Sequence, residues 1–205
     1  MKLLKRHESG FYYYVNSEKC NDNEKPRRII FLDRDGVINV DSEEFIKTWS
    51  EYMFCPGSLE AIRMLTRYHF IPVIISNQSG INRNILTLEN LDEITVNMIA
   101  EIEKAGGFVG AVCYCPHEPE EACGCRKPAI KMLNFSLSRI KATSENIYFV
   151  GDRQTDVQTA INFGATPILI DGSMEEEEIR PLETEIPGHT CPSLLTAVKK
   201  IILAP

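Results

Sequence analysis

Asp33 and Asp35 stand one residue apart at the end of the apolar run Ile29-Ile30-Phe31-Leu32, and Gly36 follows them. Two carboxylates crowded at the end of a buried strand are costly unless a cation or a shared proton relieves them. The plain alternative is an acidic turn after a strand. A second cluster lies downstream: Cys113, Cys115, Cys123 and Cys125 fall within thirteen residues, with His117 among them. In a reducing compartment such crowding reads as a metal site more often than as a disulfide scaffold. Cys115-Pro116-His117, a gap of five residues and Cys123-Gly124-Cys125 offer four ligands of the kinds zinc favours. The alternative is a reduced, partly buried loop with an incidental histidine. Cys113 is one cysteine too many and is left outside the site. Cys20, Cys55 and Cys191 are scattered and carry no expected chemistry.

The elements that position these groups alternate from Arg28 onward. Ile29 to Asp33 reads as a first strand, and Pro56-Gly57-Ser58 opens a helix carrying Ala61, Ile62, Leu65 and Tyr68. Ile71 to Ser76 is a second strand. Thr87 can cap a long helix in which Leu91, Ile94, Met98, Ile102 and Ala105 keep helical spacing until Gly106-Gly107. Phe108 to Tyr114 is a third strand, and Pro128 suits the first position of the next helix. Ile147 to Val150 and Pro167 to Ile170 are further strands, with helices over about 155–163 between them and 193–203 at the end. Continuous apolar strands alternating with helices predict an α/β fold, a Rossmann-like doubly wound parallel sheet covered on both faces. Asp33 and Asp35, Ser76-Asn77-Gln78, the Cys115–Lys127 loop and Gly151-Asp152 then all follow carboxyl ends of strands, where such sheets hold ligands.

Residues 1–27 read as an N-terminal extension of unknown role. Phe11-Tyr12-Tyr13-Tyr14-Val15 could be a short strand or a packing patch, and 16–28 is polar and loop-like. Residues 28–205 form the expected domain, and the acidic run Glu175 to Glu178 is a solvated loop. At 205 residues, 43% hydrophobic and 25% charged, the chain can bury one sizeable core. A net charge of −7 argues against a nucleic-acid surface. No apolar run approaches the ~18 residues of a membrane helix, and the polar start lacks a signal peptide's apolar core. A cytoplasmic monomer with no membrane or nucleic-acid partner is the expectation.

Asp33-Arg34-Asp35-Gly36, Ser76-Asn77, Lys127 and Gly151-Asp152 with Asp156, in that order, resemble the four motifs of the haloacid dehalogenase (HAD) superfamily of phosphohydrolases, over most of residues 29–172. The resemblance implies hydrolysis of a phosphate monoester through a covalent aspartyl-phosphate. Asp33 would be the nucleophile and Asp35 the general acid and base. Mg²⁺ would lie among Asp33, the backbone carbonyl of Asp35, and Asp152, and Ser76 and Lys127 would hold phosphoryl oxygens. Asp156 would orient the loop or a metal-bound water. Only about twenty residues separate Asp35 from the helix near Ser58, and the loop after the third strand is short. Neither can hold a separate cap domain, so an open site is expected.

Within the superfamily, Cys-Pro-His followed by Cys-x-Cys-Arg-Lys-Pro resembles the loop of the heptose-bisphosphate and histidinol-phosphate phosphatases. That resemblance implies a structural Zn²⁺ on Cys115, His117, Cys123 and Cys125, stiffening the loop that presents Arg126 and Lys127. The segments 33–41, 56–62 and 77–81 look like the heptose enzymes. Gly151-Asp152-Arg153-Gln154-Thr155-Asp156 and the short zinc loop also resemble the histidinol-phosphate enzymes. Asn82-Arg83-Asn84 and Ala129-Ile130-Lys131 depart from the heptose pattern. The implied substrate is a small phosphorylated sugar, D-glycero-D-manno-heptose 1,7-bisphosphate losing its 7-phosphate, in the making of nucleotide-activated heptose for bacterial surface polysaccharide (lipopolysaccharide). Asp41, Ser42, Glu43, Glu44, Ser76, Asn77, Gln78, Ser79, Arg126, Lys127 and Arg153 would contact it. The alternatives are a histidinol-phosphate phosphatase or broad phosphomonoesterase, and a non-catalytic zinc-bearing binding protein.

Overall fold

The computed structural model describes residues 3–16, 27–176, 178–182, 184 and 187–204. Cys20 and Glu177 lie outside the described residues. Among the described residues nine strands form one sheet: β1 (Lys5–Arg6), β2 (Tyr12–Val15), β3 (Arg28–Leu32), β4 (Phe70–Asn77), β5 (Ala111–Cys115), β6 (Thr143–Gly151), β7 (Thr166–Ile170), β8 (Arg180–Leu182) and β9 (Gly188–Cys191). Their order is β1-β2-β5-β4-β3-β6-β7-β9-β8. The six central strands, β5 to β9 in that order, run parallel. The outer pairs at both edges are antiparallel.

The central strands lack polar alternation because both faces are covered. Ile30, Leu32, Ile74 and Val112 point into a core closed by helices α1 (Ser58–Arg67), α2 (Leu88–Lys104) and α5 (Leu194–Ala197). Ile29, Phe31, Val73 and Ile75 point into a second core beneath α3 (Lys131–Arg139) and α4 (Gln154–Phe163). Burying each such side chain stabilises the fold by roughly 1.5–3 kcal/mol. The doubly wound α/β sheet is therefore as the apolar runs predict. Thr87 caps α2 by accepting the Asn90 N–H at 3.1 Å.

Several boundaries differ from the sequence reading. Pro128 does not open a helix. It lies in a turn closed by Ala129 N–H on Arg126 C=O at 2.8 Å, and α3 begins at Lys131. The final helix is regular only over Leu194–Ala197 and continues as a wider π turn, Val198–Ile202. Strands β8 and β9 were not foreseen, being short and only partly buried. Residues 3–16 are integrated into the sheet: β2 pairs with β5, Phe11 is fully buried, and the Leu4 N–H reaches Asp92 at 2.6 Å. The two crossovers that could hold a cap carry a single helical turn each, Trp49–Glu51 and Pro119–Glu121.

Candidate active site

The carboxyl ends of β3, β4, β5 and β6 converge on a cleft of about 630 Å³. Its walls hold Asp33, Asp35, Asp41, Ser42, Glu43, Ser76, Asn77, Gln78, Ser79, Arg126, Lys127 and Arg153. Glu44 is the exception among the expected contacts: it is solvent-exposed beside Val40 and Met53 in a neighbouring groove, and Lys47 lies 4.0 Å away. Arg83, Gln154 and Thr155, which belong to the 82–84 and 151–156 segments named above, also line the cleft, and so does Phe45, which the sequence does not point to. A larger groove of about 1030 Å³ between α1 and α5 touches Gly36 and Asp152 but lacks Asp33 and Lys127.

At the cleft floor, the Lys127 ammonium lies 2.8 Å from Asp33 Oδ2 and 2.6 Å from Asp156 Oδ1. All three side chains are buried. Burial, with Asp156 and Asp35 nearby, pushes Asp33 up to about 7 against the opposing pull of Lys127. Burial disfavours the Lys127 charge, but Asp156 and Asp33 outweigh it and hold the ammonium above its ordinary value. Asp152 is pushed up to about 6 by burial and by Asp156. Its Oδ1 is buried without a hydrogen-bond partner.

These raised carboxylates mark a deficit of positive charge. Carboxylate oxygens of Asp33, Asp152 and Asp156 come within 4.8 Å of one another. Hard oxygen donors in that number suit Mg²⁺, which would also satisfy the orphaned Asp152 oxygen. Gly36 makes the approach possible. Its φ is +76°, and a Cβ there would stand 2.2 Å from Asp152 Oδ2.

Asp35 occupies a different environment. Burial alone would raise it, but the Arg34 guanidinium and hydrogen bonds from Asn39, Arg34 and Gln78 hold it below the ordinary carboxylate range. Arg34 Nη2 donates to both oxygens at 2.8 and 3.0 Å, Asn39 Nδ2 to Oδ1 at 2.9 Å, and Gln78 Nε2 to Oδ2 at 2.6 Å. Gln78 Nε2 also lies 3.1 Å from Ser76 Oγ, so one amide positions two neighbours. Asn77 works through backbone: its Oδ1 accepts the Lys127 N–H at 3.0 Å, tying β4 to the Cys-rich loop. These supporting roles of Arg34, Asn39 and Gln78 need contacts across the turn that spacing alone does not reveal.

The Cys-rich loop folds back on the end of β5. Cys115 Sγ lies 3.6 Å from Cys123 Sγ and 3.4 Å from Cys125 Sγ, and Cys123 and Cys125 are 3.6 Å apart. His117 Nδ1 lies 3.4 and 3.3 Å from the sulfurs of Cys115 and Cys125. A tetrahedron with arms of about 2.3 Å has edges near 3.8 Å, so the four donors suit zinc. Hydrogen bonding with Cys115, together with Cys123 and His117, outweighs burial and draws Cys125 down to about 5. Cys113 stays outside, against Ser136 Oγ at 3.5 Å. Arg126 Nη1 donates to the His117 carbonyl at 2.9 Å, joining the cluster to the cleft wall.

The fold and this site together define a phosphatase of the HAD-like hydrolase class. A family model described as HAD-hydrolase-like matches residues 124–197. A Pseudomonas putida protein named D-glycero-beta-D-manno-heptose-1,7-bisphosphate 7-phosphatase is 39% identical over 163 residues, 80% of this chain and 91% of that protein. A Neisseria meningitidis protein of the same name is 34% identical, over 80% of this chain and 87% of its own length. The crystal structure of a B. bronchiseptica D,D-heptose 1,7-bisphosphate phosphatase, complexed with magnesium and phosphate, superposes with a TM-score of 0.74 at 31% identity. That superposition covers 85% of this chain and 98% of that one. The chain belongs to the HAD-like phosphatase family whose members carry these names.

Proposed function

We propose that this phosphatase removes the 7-phosphate of D-glycero-D-manno-heptose 1,7-bisphosphate through an aspartyl-phosphate on Asp33. The observation that carries the reaction is the meeting of Asp33 and Lys127 in a cleft that also holds Asp35 and Ser76, with Asp152 and Asp156 carboxylates gathered against Asp33. An Asp33 oxygen attacks phosphorus and the bond to the leaving oxygen breaks. Ser76 and Lys127 hold the phosphoryl oxygens as charge spreads over them. Asp33, Asp152 and the backbone carbonyl of Asp35 would hold Mg²⁺. When bound, it neutralises the crowded carboxylates and polarises the phosphoryl group.

Asp35 rests ionised among its N–H donors, which suits the second half of the reaction, when it takes a proton from the attacking water. For the first half it needs a proton. A phosphate dianion arriving beside it raises its proton affinity, since a like charge disfavours the ionised form.

The substrate assignment rests on the relatives' names and on the cationic wall of the cleft. Arg126 and Arg83 stand on that wall with Arg153, whose Nη2 meets Asp41 Oδ2 at 2.7 Å. A sugar with a second phosphate has cations to meet there. Cys115, His117, Cys123 and Cys125 would hold a structural Zn²⁺, four protein ligands leaving no open position. The reading includes a cytoplasmic monomer, in keeping with a biosynthetic role. No helix among the described residues is long and apolar enough to cross a membrane. The test is kcat/KM, side by side, on both anomers of the heptose bisphosphate and on histidinol phosphate. Clear preference for the amine-bearing substrate overturns the assignment.

A further inference from the structure

The N-terminal hairpin ends where the cysteine cluster begins. In the β2–β5 register Tyr12 faces Tyr114, the residue before Cys115. The turn leading into β2 is closed by His7 N–H on Phe11 C=O at 2.8 Å and Gly10 N–H on His7 C=O at 2.9 Å. It lies over the cluster. The Ser9 carbonyl oxygen lies 3.9 Å from Cys125 Sγ, and Lys131 Nζ lies 3.4 Å from Ser9 Oγ. A Cβ on Gly10 would stand 2.9 Å from both Cε1 and Nε2 of His117. Cε1 is bonded to Nδ1, the nitrogen that faces the sulfurs of Cys115 and Cys125, and Nε2 is the next atom of the ring. Gly10 therefore closes on the ring edge beside the ligating nitrogen.

The turn is anchored firmly enough to act as a wall. Leu3 and Leu4 N–H groups meet Asp92 on α2 at 3.1 and 2.6 Å. Phe11 is fully buried, stacked on His7 with ring centres 4.4 Å apart and edge-on to Phe135 at 5.3 Å. A metal-ligating imidazole depends on the groups around it to keep its orientation. His117 is only half-buried, whereas Cys115 and Cys125 are inaccessible, so His117 and Cys123 are where solvent can reach the site.

Taking the cluster as the zinc site proposed above, we infer that Ser9 and Gly10 are positioning residues for it. They hold the His117 ring in its ligating orientation and close the cluster against solvent, so this turn governs how fast the metal is lost. The backbone must be glycine at position 10 because φ is +88° and a methyl would meet the ring.

The test compares full-length wild type with Gly10→Ala and Gly164→Ala. Gly164 has φ +83° with nothing within 4 Å of an added Cβ, so it carries the backbone strain without the ring contact. Zinc content is measured in each purified protein, then the rate of zinc transfer to the chromogenic chelator 4-(2-pyridylazo)resorcinol. The expected result is loss about tenfold faster or more from Gly10→Ala, with Gly164→Ala at the wild-type rate. Equal rates in all three proteins overturn the positioning role and leave the zinc site standing. Wild type that contains no zinc overturns the zinc reading, and this inference with it. Should Gly10→Ala fail to fold, Phe11→Leu decides: it loosens the turn's anchor without adding an atom beside His117, and an unchanged rate there overturns the role.

Discussion

Gly36→Ala is the substitution whose consequence the structure specifies most closely. The added methyl would sit 2.2 Å from Asp152 Oδ2, 2.4 Å from its Cγ and 2.9 Å from its Cβ. Non-bonded carbon contacts are favourable only near 3.5–4.0 Å, so the Asp152 carboxylate has to retreat by on the order of 1 Å. The left-handed backbone at φ +76° adds about 1–2 kcal/mol of strain once a Cβ is present. For a chain of this size that strain lowers the melting temperature by roughly 2–8 °C, which the fold survives. The displaced carboxylate is the larger effect. Asp152 leaves the cluster it forms with Asp33 and Asp156. Misplacement by about 1 Å in a reacting constellation costs on the order of 10²-fold in rate. The assay is phosphate release against Mg²⁺ concentration, with zinc content and thermal melting measured on the same preparation. The expected variant is folded, binds zinc as wild type does, and has lost Mg²⁺ affinity and turnover together. Wild-type turnover with unchanged Mg²⁺ half-saturation would refute the assignment of Asp152 to the metal.

Asp33→Asn should abolish Mg²⁺-dependent phosphate release while leaving the cysteine cluster loaded; undiminished turnover removes Asp33 as nucleophile. Lys127→Met leaves Asp33 and Asp156 buried without their cation, a loss of about 3–5 kcal/mol measurable by urea unfolding, part of which added Mg²⁺ should restore. Equal stability of the variant and wild type without Mg²⁺ contradicts the ion-pair reading. The raised Asp33 (about 7) and Asp152 (about 6) set a pH dependence. Between the unfolded value near 4 and the folded values near 6–7, the folded state holds protons the unfolded state has released, so metal-free stability falls as pH rises through that window. Mg²⁺ competes with those protons, so its half-saturation concentration should drop as pH rises from 5.5 to 8, by isothermal titration; a flat profile contradicts the raised carboxylates. Asn77→Ala removes the acceptor for the Lys127 N–H and should lower kcat more than it raises KM; unchanged kcat shows that Lys127 needs no such tie.

Much of this molecule was legible in the chain. Alternation of continuous apolar strands with amphipathic helices predicts a doubly wound sheet because a strand buried on both faces has no polar side. The site residues were legible for a related reason. Groups that follow strands of a parallel sheet at their carboxyl ends must share one edge, so the strand order alone puts Asp33, Ser76, Lys127 and Asp152 together. The meeting of Cys115, His117, Cys123 and Cys125 was legible because three cysteines and a histidine fall within so short a span. The misreadings occurred where local pattern competes with long-range pairing. Pro128 looks like a helix start, yet it closes a turn ahead of α3. Strands β8 and β9 have too few buried residues to announce themselves.

The sequence by itself determined the fold class, the strand ends that carry chemistry and the donor types of both candidate metal sites, because periodicity and residue chemistry are local properties. The tertiary structure alone decided which partner each site residue has. It set Lys127 between Asp33 and Asp156, gave Asp35 to Arg34, Asn39 and Gln78, and moved Glu44 off the cleft wall. It also brought Gly10 against His117, more than a hundred residues away in the chain. Such contacts depend on crossover lengths and sheet register, which fix distances between segments that share no local pattern.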